Sequence, residues 1–309
     1  MSTTAANITA FTTGKTTLTP SYPIVITVTV FTTLIITSRS ISNSVSSNLS
    51  NINLNNVLRY YQPRQIIRSN KFSCAKSFTF VPGFNLTYYV IDGCSGYILL
   101  FDKNWNYLSF VEGFVNAKSI NAVNTNIYIT FESRGIIKTD ENLIEVYNYQ
   151  SNQTFTGMLF NSSSQTIYIA STSSASILEF TTNLDLVSSF SSGFPALSLQ
   201  IYENNLYVST VIGQILIFLN KVLIGYYSGC DSLNYSPRTF FATSMIFDNY
   251  GYMAIYCDSS NYHYIALFST NVTYLNLKLQ LNQQYPSSAT FDAQGRLVVI
   301  SPNEISIFY

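Results

Sequence analysis

The sequence predicts an all-β fold assembled from six copies of one four-stranded antiparallel unit, and three observations predict it. Only 10% of residues are charged, while Tyr (24) and Phe (22) stand beside abundant Val, Ile and Thr, a balance that suits short pleated strands more than surface helices. A short phrase, Ile followed three residues later by Phe and three after that by Asn, returns along the chain as Ile98...Phe101...Asn104, Ile177...Phe180...Asn183 and Ile265...Phe268...Asn271. Weaker copies occur at Ile136–Asn142 and Ile215–Asn220, with a half-copy at Ile305–Phe308. The anchors 101, 139, 180, 218, 268 and 308 lie 38, 41, 38, 50 and 40 residues apart, and a period near 40 made only of strand patterns points to the blades of a six-bladed β-propeller.

Every unit repeats the same internal order. Ahead of the phrase runs an alternating strand: Tyr88–Ile91, Ile127–Thr130, Ile167–Ala170, Leu206–Ser209, Met253–Tyr256 and Leu297–Ile300. Before that strand comes a turn, clearest as Phe247-Asp-Asn-Tyr-Gly251 and Phe291-Asp-Ala-Gln-Gly295, where Asp caps backbone amides and Gly accepts positive φ. After the Asn-bearing turn a fourth strand is expected, as at Leu143–Tyr147 and Leu186–Phe190. The last unit holds only three strands before Tyr309 and would leave an unpaired edge, so an N-terminal segment, Arg64–Arg68, is expected to add the missing outer strand and close the ring.

The Phe-Asp-x-x-Gly turn, the apolar strand after it and the Ile-x-x-Phe phrase resemble the NHL repeat, sharply in the fifth and sixth units. In units two to four the turn residues are replaced by Asn and Ser, as in Asn161-Ser-Ser-Ser-Gln165. The resemblance implies a six-bladed ring that binds a protein or glycan through its loop-rich face, with a metal-dependent, lactonase-like or lyase-like hydrolase as the alternative. Kelch repeats are disfavoured because the chain has no Gly-Gly pair, and WD40 repeats because Trp105 is its one tryptophan and His263 its one histidine.

The propeller is assigned to residues 57–309 and a Ser/Thr/Asn-rich region to residues 1–56. That region contains one apolar run, Ile24–Ile36, of thirteen residues including four threonines. A membrane span needs about 20 residues and a signal-peptide core about 7–15, so the run reads as a signal peptide, an anchor or a β-prone tail, and it is the only expected membrane contact. Residues 38–56 read as a polar linker.

The formal net charge is zero but uneven. Residues 1–91 hold seven basic residues and no acidic one, leaving eight basic against fifteen acidic in the remainder. The propeller is therefore mildly acidic and lacks the clustered Lys and Arg on which nucleic-acid binding rests.

The four cysteines fall around two units. Cys74 precedes the first strand of unit one and Cys94 follows its second, and Cys230 and Cys257 are read as holding the corresponding places in unit five. Disulfides Cys74–Cys94 and Cys230–Cys257 are expected, which implies an oxidising compartment: a secreted chain, or a membrane-anchored one with the propeller outside. Seven Asn-x-Ser/Thr sequons permit that address, although a composition this rich in Ser and Thr supplies as many by chance.

No catalytic residue is assigned, because His263 has no flanking activated nucleophile and no phosphate-binding glycine loop occurs. The candidate ligand face consists of Asp92, Glu132 and Asp258 at the ends of second strands, Asp231 in the loop leading into unit five, and Arg134 and Arg238 beside them. No cofactor is assigned; calcium is the ion those carboxylates would take if they converged.

Overall fold

The computed structural model describes residues 65–68, 73–81, 86–228, 241–248, 250–259, 262–269, 274–280 and 288–308, with backbone only at 228, 241–242, 258–259, 262–263 and 274–280. The Ser/Thr/Asn-rich region and its apolar run lie outside the described residues. No helix among the described residues is long and apolar enough to cross a membrane.

Twenty-four strands form six four-stranded antiparallel sheets. Blade 1 is β2 (Ala75–Val81), β3 (Thr87–Asp92), β4 (Tyr97–Phe101) and β5 (Tyr107–Glu112). Blade 2 is β6 (Ala117–Val123), β7 (Asn126–Phe131), β8 (Ile136–Thr139) and β9 (Glu145–Tyr149). Blade 3 is β10 (Phe155–Asn161), β11 (Thr166–Ser171), β12 (Ser176–Thr181) and β13 (Leu186–Ser191). Blade 4 is β14 (Ala196–Tyr202), β15 (Asn205–Thr210), β16 (Gln214–Leu219) and β17 (Val222–Ser228). Blade 5 is β18 (Phe241–Phe247), β19 (Met253–Ser259), β20 (Tyr262–Phe268) and β21 (Tyr274–Gln280). Blade 6 is β22 (Ser288–Phe291), β23 (Leu297–Ser301), β24 (Glu304–Phe308) and, from the other end of the chain, β1 (Gln65–Arg68).

The ring is closed as the unpaired edge required. β1 runs antiparallel to β24 with Gln65 opposite Ile307 and Arg68 opposite Glu304, and the Arg68 guanidinium meets the Glu304 carboxylate at 2.7 Å.

Each blade hides its apolar faces only against its neighbours. The described buried residues fall into six clusters, one per blade interface: Tyr256 and Leu267 meet Leu297 and Val299 between blades 5 and 6, and Ile91 and Ile98 meet Ile120 and Ile129 between blades 1 and 2. The seam that joins the two chain ends packs Phe78, Tyr88 and Trp105 against Val298, Ile305 and Ile307. Trp105 stacks on Tyr88 at 4.3 Å, and its Nε1 donates to Asp292 of blade 6 at 3.3 Å.

The recurring second-strand tyrosines tie blades together. Tyr89 of blade 1 donates to the Glu141 carbonyl in blade 2 at 2.9 Å, and Tyr128 of blade 2 to the Thr182 carbonyl in blade 3 at 2.7 Å. Burial pushes the Tyr128 hydroxyl up to about 12. Glu179 continues the series from blade 3, reaching Lys221 of blade 4 at 2.6 Å.

The two phrases that carried the repeat encode one turn. In blades 1 and 2 an Asp Oδ1 at the end of the third strand accepts two amides, Asn104 and Asn106 for Asp102, Asn142 and Ile144 for Asp140, all within 2.9 Å. Asp248 and Asp292 make the same pair of bonds between the first and second strands of blades 5 and 6. The fourth turn residue is left-handed, Gly251 and Gly295 in one setting, Trp105, Leu143 and Leu184 (φ 64° to 66°) in the other. Such a φ costs a non-glycine residue about 1–2 kcal/mol, and burying a Leu returns about 1.5–3 kcal/mol, so burial prevails at all three, each under 7% exposed. Leu143 therefore belongs to the turn, and the fourth strand of blade 2 begins at Glu145, two residues later than its apolar pattern suggested.

Ile67→Asp is expected to lower unfolding stability by about 2 kcal/mol, because it sets a carboxylate against Ile305 and Ile307, whereas Ile66→Asp on the exposed side of β1 costs less than half as much. Chemical denaturation of the two variants checks the difference.

Candidate functional site

The innermost strands of all six blades line one central cavity of about 350 Å³. The cavity runs the length of those strands, with Asn124 and Phe291 at one end; the other end, called the mouth below, lies where first strands begin and second strands end, the face that also carries the Cys74–Cys94 loop. The backbone there repeats. Gly93, Glu132, Thr172 and Val211, each just past a second strand, donate to the carbonyls of Cys74, Asn116, Thr154 and Pro195 just ahead of the first strands. Between blades, Asn116 N–H donates to Gly93 and Ala75 N–H to Pro302.

Five inner strands carry a β-bulge at the mouth. The ladder skips Lys76, Lys118, Thr156, Leu197 and Thr243 in blades 1 to 5. A bulge turns an extra side chain out of the pleat, and here each one borders the cavity. The following position is serine in blades 1, 2, 4 and 5 (Ser77, Ser119, Ser198 and Ser244) and Gly157 in blade 3, and Ser288 holds the same ladder position in blade 6. A Cβ at Gly157 would lie 2.6 Å from the Leu197 carbonyl oxygen, so the neighbouring bulge excludes a side chain there.

The sequence singled out none of these residues. The signal was present as a recurring Ala-x-Ser, in Ala75-Lys-Ser77, Ala117-Lys-Ser119, Ala196-Leu-Ser198 and Ala242-Thr-Ser244, but the first strands are short and the bulge that gives the phrase its meaning is visible only in the ladder.

Of the carboxylates picked from the sequence, the two whose side chains are described, Asp92 and Glu132, are turned to different partners. Asp92 is fully buried, and its two oxygens accept the amides of Ser73 at 2.9 Å, Cys94 at 3.2 Å and Ser95 at 3.4 Å, so it shapes the loop. Glu132 stands one ladder position beyond the place of Asp92, and one residue reverses the side a strand residue faces. It is half exposed and meets Lys118 at 2.6 Å, whose hydrogen bond and charge hold its carboxyl below the usual range. Asp258 shares Glu132's ladder position, and its side chain lies outside the described residues. Arg134 is drawn outward to Glu145 at 3.0 Å and lies over the Phe131 ring. Asp231 and Arg238 lie outside the described residues.

Cys74 and Cys94 form a disulfide across the loop that Asp92 organises, with Cα atoms 5.3 Å apart. Cys257 does not hold in blade 5 the place that Cys94 holds in blade 1. Cys257 lies inside β19, buried, at the ladder position of Asp92, two residues short of the place of Cys94. Blade 5 follows β17 after a connection of residues 229–240, longer than those that enter blades 2 to 4. Cys257 is itself disulfide-bonded, and its expected partner Cys230 lies outside the described residues.

Among the described residues the grouped potential metal ligands are Cys74, Asp92 and Cys94. Two of the three are spent in the disulfide and the third holds backbone amides, so this group does not suit a calcium ion, which takes six to eight free oxygens.

Double substitution Cys74→Ser/Cys94→Ser is expected to cost about 3 kcal/mol for a loop of this length. Denaturant unfolding with and without reductant checks it: reductant should destabilise the parent chain by more than the double variant.

No family model matches the chain, and no curated protein does. Solved structures match its fold. The β-propeller domain of Myceliophteria thermophila Cps50 (Swd1) superposes with a TM-score of 0.57 at 12% identity, covering 75% of this chain and 82% of that one. The WD40 β-propeller domain of Doa1 gives 0.57 at 13% identity, covering 81% and 96%. An auxiliary nutrient binding protein from Bacteroides thetaiotaomicron gives 0.58 at 13% identity, covering 77% and 70%. At these identities the likeness is one of fold, and the chain is a six-bladed β-propeller.

Proposed function

We propose that the chain is a non-catalytic, NHL-like β-propeller acting as an extracellular or membrane-tethered scaffold that binds a protein or glycan at the mouth of its central channel. The observation that carries this reading is the character of the mouth. It is a ring of bulge residues and serines around a cavity of about 350 Å³, near the lower end of the size range of small-ligand sites. Of the charged groups described beside it, Lys118 and Glu132 pair with one another and Asp92 holds backbone amides, and none is set as a base against a nucleophile.

The disulfides support that compartment, because they persist in oxidising surroundings. The run Ile24–Ile36 would then serve as the signal or anchor. The propeller fold supports the scaffold role through its neighbours, one of which is described as a nutrient binding protein. The mildly acidic body and the absence of clustered basic residues after Lys76 speak against a nucleic-acid partner.

The full chain, prepared under oxidising conditions and probed against panels of glycans and extracellular proteins, should bind saturably. Leu197→Trp, which adds bulk at a bulge bordering the mouth, should weaken that binding at least about tenfold, roughly 1.4 kcal/mol, with the ligand recovered unchanged. Calcium-dependent hydrolysis of a lactone or of the bound ligand would replace this reading with the hydrolase alternative.

A further inference from the structure

We propose that the channel mouth binds an acidic sugar of the uronic-acid class, its carboxylate on the Lys76 ammonium and its hydroxyls on the neighbouring serines. This deepens the binding reading above and rests on it.

The inference starts from a broken symmetry. Lys76 and Lys118 are the bulge residues of adjacent inner strands and occupy the same ladder position. In blade 2 the residue just past the second strand is Glu132, which neutralises Lys118 at 2.6 Å. In blade 1 that residue is Gly93, which brings no carboxylate. A Cβ on Gly93 would stand 3.2 Å from Lys76 Cγ and 2.8 Å from the Ala117 carbonyl oxygen, so the lysine stem lies across the glycine and the blade seam leaves no room for an acidic side chain. Asp92 is the acidic residue nearest in sequence to Gly93, yet both its oxygens are turned to the amides of its own loop. Among the described residues Lys76 makes no ion pair, although it is only partly exposed.

With Lys118 paired to Glu132 and Asp92 held by the amides of its own loop, Lys76 offers one ammonium, which matches one carboxylate and is too little for a polyphosphate backbone. Burial lowers the Lys76 pKa, Lys118 lowers it further, and Asp92 opposes both. An ammonium held short of solvent and without a partner gains more from an incoming carboxylate than a surface lysine does.

The rest of the mouth selects for hydroxyls. Ser77 and Ser119 follow the two lysines directly, and Ser198 and Ser288 carry hydroxyls on into blades 4 and 6, while the Ser244 hydroxyl is bound to the Ala289 backbone. Short hydroxyl side chains both donate and accept, as a polyol requires. A volume of about 350 Å³ admits one sugar ring with water around it and is too small for a folded partner.

Calorimetric titration of the full chain with D-glucuronate, D-glucose and L-glutamate tests this. Glucuronate should bind, glucose and glutamate each at least about tenfold more weakly, and Lys76→Met should weaken glucuronate by a similar factor, the loss of one charge-assisted contact. Lys103→Met, remote from the mouth, should leave the affinity unchanged. A second readout needs no variant: on the unaltered chain glucuronate should slow chemical acetylation of Lys76 and not of Lys103. Equal affinities for the parent chain and Lys76→Met, no protection of Lys76, or glutamate binding as tightly as glucuronate would overturn the inference. If glucuronate fails while Leu197→Trp still blocks a ligand from the panels, the sugar-acid assignment falls and the binding reading stands.

Discussion

Everything in this molecule depends on the pairing of β1 with β24. A single blade has two apolar faces and no core of its own, so each blade is stable only between two others, and a row of six would leave two such faces in water. Bending the row into a ring removes both, but it also brings the two chain ends into one sheet. Four residues, Gln65–Arg68, therefore complete the sixth blade, and the seam they secure is reinforced by Trp105 reaching Asp292 and by Ile305 and Ile307 packing on Phe78 and Tyr88. Closure also fixes the channel, because its six inner strands meet around one cavity only when the ring is complete.

The central strands were legible in the sequence because their signals are local. Tyr88–Ile91 and Ile98–Phe101 alternate or run apolar, are bounded by turn residues, and need no knowledge of their neighbours to be recognised. Tertiary context decided what local pattern could not. Leu143 has the composition of a strand residue and is a left-handed turn residue, because its side chain is buried in the cluster between blades 1 and 2. Cys257 is near the right place in sequence and two ladder positions away in space. The missing outer strand was recoverable by a count of edges, a global constraint that sequence does carry.

The site was far less legible, and the reason is parity. Acidic residues near strand ends were the natural candidates, yet Asp92 and Glu132 differ by one ladder position and face opposite ways, one into its loop and one to Lys118. The side chains that border the cavity are instead bulge residues, whose identities vary from lysine to leucine and whose common feature is a skipped rung in a ladder. Only comparison of equivalent positions between blades shows that Lys118 has a carboxylate and Lys76 a glycine where its own would be. A repeat protein makes such comparison informative: blade 2 shows how a lysine at this position is neutralised, and blade 1 carries the lysine without that carboxylate.

Hydrogen exchange on the intact chain measures the central claim most directly. If β1 closes the ring, amides within residues 66–68 and their partners in β24 exchange slowly and together, with protection comparable to the inner strands of blade 6. Exchange of residues 66–68 at the rate of an unstructured peptide, while β22 and β23 remain protected, would contradict it.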